Sequence, residues 1–160
     1  MTPAHIGIVG VSAEGAALCY RTICVEGAQY FGPDAHPEVS MHTYSFDEYR
    51  RLSQREDWAA TGELMLASAQ KLAAIGADFL ICPANTPHLA FPHIAAKSPL
   101  PWLHIAGVVA DEAKQRGFRR IGVLAAGGGQ PLAEDRRPGA RDGGDMTLVG
   151  ENGVGLLGHP

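Results

Sequence analysis

Two rhythms of apolar and polar residues alternate along the chain. Short apolar runs come first. Ile6, Ile8 and Val9 predict a strand over residues 5–10. Val39 and Met41 alternate with Ser40 and His42 and predict a second strand over 38–44. Phe79-Leu80-Ile81-Cys82 is continuously apolar, as a strand buried on both faces should be. Residues 100–105 predict a short fourth strand, and Ile121, Val123 and Leu124 a fifth over 119–124. Between these runs the period lengthens. Residues 16–25 predict a helix. So do residues 58–75, where Met65, Ala69 and Leu72 recur at helical spacing and Gly76 supplies the stop. A short helix is expected over 87–96, interrupted by Pro92, and another over 108–116, stopped by Gly117. Residues 47–57 mix both charge signs and predict a solvated helical face. Strands alternating with helices in this way imply right-handed βαβ units, hence an α/β fold with a parallel sheet and flanking helices.

In such a fold, ligand crevices lie at the carboxyl ends of the strands. The central apolar run ends at Pro83. Asn85 and Thr86 follow, two residues suited to capping a helix, and Pro87 stands where a first helical residue needs no N–H. A strand feeding a helix start can present backbone N–H groups to a carboxylate or phosphate. Ser12 falls at the carboxyl end of the first strand, as an N-cap, a ligand contact, or both. Tyr44 and Ser45 end the second strand on the same side. Two nucleotide motifs fail. Gly10 and Gly15 have P-loop spacing, but Ala16 and Ala17 replace the required Lys and hydroxyl. Gly7, Gly10 and Gly15 do not have dinucleotide-fold spacing. Cys82, His88 and His93 match no zinc pattern, so no metal is expected.

Asp78-Phe79-Leu80-Ile81 followed by Asn85-Thr86-Pro87-His88 resembles the aspartate/glutamate racemase family. The resemblance runs over about residues 6–124. It takes in Gly7-Ile8-Val9-Gly10, the Gly76-Ala77-Asp78-Phe79 lead-in and Pro101-Trp102-Leu103-His104-Ile105. It implies the first domain of a two-domain fold and an amino-acid racemase that works without cofactor. In that chemistry two opposed thiols, one from each domain, move a proton at Cα of aspartate, glutamate or a related carboxylate. The resemblance implies substrate contacts at Asn85 and Thr86; Ser12, Tyr44 and Ser45 are candidates from their place at the strand ends. His88 matches the family's histidine. The position of the family's first cysteine is occupied by Ala84. Cys82 is the nearest thiol and, with His88, the only local candidate for proton transfer. A substrate-binding Arg is expected near Arg50 and Arg51, without assignment to either. The chain therefore reads as a divergent, truncated member with impaired catalysis; the alternative is a non-catalytic carboxylate-binding αβ module. The expected ligand is a small amino acid or carboxylate, with room for a homodimer.

Composition changes the picture at one place. Half of the 20 glycines lie beyond Ala125, in runs such as Gly127-Gly128-Gly129 with no hydrophobic period. Residues 1–124 are thus expected to form the racemase-like αβ domain with the start of a truncated second half. Residues 125–160 are expected to be an irregular Gly-rich tail, as truncation or a shifted frame would leave. The 46% hydrophobic and 19% charged shares suit a globular chain. A net charge of -4 argues against nucleic acid. No apolar run approaches the roughly 20 residues a membrane helix needs. The three cysteines form no Cys-x-x-Cys pair, and a cytoplasmic setting is expected.

Overall fold

The computed structural model describes residues 3–118. Strands β1 (Ile6–Gly10), β2 (Val39–Thr43), β3 (Phe79–Ile81) and β4 (Trp102–Leu103) form one parallel sheet in the order β2-β1-β3-β4. Helices α1 (Ala13–Phe31), α2 (Phe46–Gln54), α3 (Trp58–Ala74) and α4 (Phe91–Ile94) connect them, with a 3₁₀ segment over Thr86–Ala90, and α5 (Ile105–Gln115) follows β4. The strand expected over 119–124 and the tail from residue 125 lie outside the described residues. The compact unit bearing the sheet is Met1–Val108; a second unit begins at Val109, within α5.

The path from β1 to β2 runs one way across the sheet, and the path from β2 to β3 runs back past β1. Right-handed crossovers therefore put α1 and α3 on opposite faces and leave β1 at the point where the winding reverses. Strand alternation agrees. Val9 and Leu80 pack in the core with Met65, Leu66, Ala69 and Leu72 of α3. Gly10 points the other way, and a Cβ there would sit 3.2 Å from the Ala16 Cβ of α1. The α3 stripe buries Met65, Ala69 and Leu72 completely. Each fully buried Met or Leu contributes about 1.5–3 kcal/mol. Gly76, at φ +92°, turns the chain out of α3 toward β3.

Several boundaries differ from the sequence reading, for physical reasons. Helix α1 is longer than residues 16–25 because Ser12 caps it early and it runs unbroken to Gly32, at φ +104°. The expected helix over 87–96 is two short pieces. Pro87 and Pro92 each sit in the first turn of one of them, where their missing N–H is tolerated. Strand β4 shrinks to two residues because α5 already begins at Ile105, ahead of the expected residue 108. The charged segment is not wholly solvated either, since Tyr49 of α2 is buried in the core.

Candidate functional site

All four strands are parallel, so the segments after Gly10, Thr43 and Ile81 emerge at one edge of the sheet. Ser12 initiates α1, its Oγ accepting the Gly15 N–H at 3.2 Å. Gly15 is required there by close approach: a Cβ would lie 2.7 Å from the Pro83 carbonyl oxygen and 3.0 Å from Ser12 Oγ. The loops after β1 and β3 therefore meet at Gly15. Between the β1 loop and the end of β2 lies a cleft of about 290 Å³, lined by Ser12, Ala13, Ala16, Thr43, Tyr44 and Phe46 among others. That volume suits a small ligand.

The loop after β3 is held by its histidine. His88 is 8% exposed, its Nδ1 2.7 Å from the Ala84 carbonyl oxygen. A carbonyl only accepts, so Nδ1 carries the proton; Nε2 is then free to accept the Ile105 N–H, at 3.4 Å. The ring stacks on Phe91 at 5.3 Å and meets His104 edge-on at 4.5 Å. Burial pushes the His88 pKa down, partly opposed by the bond to Ala84 and reinforced by His104. Both ring nitrogens are thus committed and the neutral form is favoured.

Cys82 follows β3 and points into the core, 2% exposed, with its Sγ 3.9 Å from the Ala84 carbonyl oxygen. Burial pushes its thiol up to about 12. Such a thiol is protonated at neutral pH and shut off from a ligand in solution. Tyr49, whose hydroxyl is buried without a hydrogen-bond partner, has its pKa raised by burial and by the neighbouring Cys82.

Of the sequence candidates, Ser12 and Tyr44 share the cleft. Ser45 is exposed at the start of α2, where its backbone carbonyl accepts the Glu48 N–H at 3.1 Å and its side chain makes no capping bond. Asn85 and Thr86 are exposed and do not line the cleft. The capping expected of Asn85 is absent: it is α-helical itself (φ -73°, ψ -51°), which takes its side chain out of capping geometry. Arg50 and Arg51 pair with Asp47 on the exposed side of α2. Among the described residues, no group of three or more His, Cys, Asp or Glu could hold a metal ion. None of the described helices is long and apolar enough to cross a membrane. The sequence reading placed His42 at the polar end of the second strand but passed over Lys71, and the two meet beside Tyr44. They lie 29 residues apart, and only the packing of α3 on β2 joins them.

The fold is that of a racemase-type αβ domain. A model of the Asp/Glu/hydantoin racemase family matches residues 6–136. The chain belongs to this family. It is similar to a candidate Asp/Glu racemase from Yersinia pestis at 30% identity and TM-score 0.71, over 76% of this chain and 53% of that one. An aspartate racemase homologue from Pyrococcus horikoshii OT3 is 27% identical with TM-score 0.65, over 78% and 54%. The aspartate racemase of Picrophilus torridus shares the fold, with TM-score 0.60 at 17% identity over 76% and 51%. The chain spans about half the length of these structures.

Proposed function

We propose that the chain holds an amino acid or related carboxylate at the carboxyl edge of its sheet, in the cleft beside Ser12 and Tyr44, with Asn85 and Thr86 on the exposed loop outside it, and transfers few protons itself. The chemistry its family points to is racemisation at Cα of aspartate, glutamate or a similar acid, without PLP. That reaction needs one group to take the proton from one face and another to return it to the opposite face. Residue 84 carries the reading. It is alanine where the resemblance places a cysteine, and a methyl group cannot exchange a proton.

The nearby groups do not replace it. Cys82 is buried with its thiol pushed up to about 12, and His88 spends both nitrogens on the backbone. Together with Ala84, this favours a second reading, a carboxylate-binding αβ module that has given up catalysis. The two readings share their binding step. Titrating the chain with L- and D-aspartate, L- and D-glutamate and glutarate, while following the Gly15 amide by NMR, tests that step. Saturable shifts at Gly15 are expected. Flat spectra at millimolar ligand would contradict both readings.

A further inference from the structure

On the α3 side of β2's carboxyl end, two neutral side chains hold a cation. Lys71 Nζ lies 3.0 Å from His42 Nε2, 3.0 Å from Tyr44 Oη and 4.5 Å from the centroid of the Tyr44 ring. The His42 and Tyr44 rings meet edge-on at 4.8 Å. Among the described residues Lys71, like Arg21 and Arg55, has no carboxylate within ion-pair distance, whereas Arg50, Arg51, Lys97, Lys114 and Arg116 each pair with one. An ammonium can only donate, so His42 Nε2 accepts and its Nδ1–H donates to Ser68 Oγ at 3.0 Å. Ser68 is fully buried and anchors the arrangement to α3. Tyr44 accepts from Lys71, and among the described residues its own O–H has no acceptor. A third Lys71 N–H and the Tyr44 O–H are thus left as adjacent donors beside an uncompensated charge. Tyr44 also borders the cleft, whose lining contains no charged residue.

We propose that Lys71 and Tyr44, backed by His42, form a subsite for a small oxyanion, carboxylate or phosphate, at the carboxyl end of β2. Two charge-assisted donors at a fixed spacing match one oxyanion. The subsite does not depend on proton transfer at residue 84. It is linked to pH through His42. The groups facing that ring are Lys71 and Ser68 from α3 and Tyr44, just after β2; β1 presents apolar Val9. Burial and the Lys71 charge lower the His42 pKa. Protonation makes Nε2 a donor and adds a second positive charge next to Lys71, so an anion should bind more tightly as pH falls.

The test uses the full chain at constant ionic strength. NMR signals of the His42 ring and the Lys71 ε-methylene are followed during titration with inorganic phosphate and, separately, with succinate. Saturable shifts of both signals with either anion are expected, together with a rise in the His42 pKa. Lys71→Met should weaken binding roughly tenfold or more, the loss of a charge-assisted contact. Tyr44→Phe should weaken it less. Lys71 is exposed, so Lys71→Met is compatible with folding; Tyr44→Phe tests the same subsite with only an oxygen removed. Unchanged affinity in both variants would overturn the proposal, as would shifts that grow linearly with any salt, chloride included. Shifts confined to Gly15 would overturn the subsite while leaving the cleft reading intact.

Discussion

Replacing His88 by alanine tests whether this histidine clamps the loop after β3. Two backbone groups lose their partner: the Ala84 carbonyl, bonded at 2.7 Å, and the Ile105 N–H, at 3.4 Å. A buried polar group left unsatisfied costs about 1–3 kcal/mol, and the stack on Phe91 adds about 0.5–1.5 kcal/mol. The Ile105 contact is long and counts at the low end, so His88→Ala should lose about 2–4 kcal/mol. His88→Asn can still donate to Ala84 but does not reach Ile105, so it should lose about half as much. Urea unfolding followed by circular dichroism measures both. The pH dependence has a definite sign. The folded His88 pKa is depressed, so the unfolded chain binds the extra proton. The neutral ring's contribution is complete above the unfolded value of about 6.5 and is lost as pH falls toward the lower folded value. His88→Ala should flatten part of that decline. A variant within about 0.5 kcal/mol of the parent, the ordinary scatter of surface changes, would refute the clamp.

Two further outcomes follow from the same loops. In folded protein at pH 8, Cys82 should resist maleimide while urea exposes it, because burial holds its thiol near 12. Peptide mapping by mass spectrometry reads this, and labelling of Cys82 at the rate of a free thiol would count against its burial. Gly15→Ala should lower the urea midpoint, although alanine alone favours a helix by about 1 kcal/mol, because the new Cβ would meet the Pro83 carbonyl oxygen at 2.7 Å. A raised midpoint would show that the two loops do not touch there.

The sheet was legible wherever the apolar runs were short and bounded. The runs around Ile8, Met41 and Leu80 became β1, β2 and β3, with ends within a residue or two of those expected. The α3 stripe was equally plain, since its period is strict. Helix α1 was read too short because its apolar residues form no clean stripe: Leu18, Val25 and Tyr30 are exposed. Proline explains the other local miss. Pro87 and Pro92 each signal a helix start, and four residues between them leave room only for two short turns. The alanine at position 84 was legible as a residue, and the burial of Cys82 was legible from the apolar run it ends; the double bonding of His88 was not. It depends on which way the side chain turns after the strand ends, and tertiary packing settles that. The partnership of Ser68 and His42 has the same origin, because α3 and β2 must pack before those groups meet.

Deuterium incorporation at Cα tests the central account most directly. The chain is incubated with L-aspartate and L-glutamate in deuterated buffer at neutral pH, and loss of the Cα proton signal is followed by NMR. A positioned general acid or base typically contributes about 10²–10⁴-fold. With Ala84 in place and Cys82 and His88 committed, exchange should stay at the buffer rate even where Gly15 reports binding. Ala84→Cys should raise exchange above that background if a cysteine at this position can reach Cα. Rapid exchange by the unaltered chain, abolished by Cys82→Ser or His88→Ala, would contradict the account and put the proton-transfer group at the residue whose loss stops it.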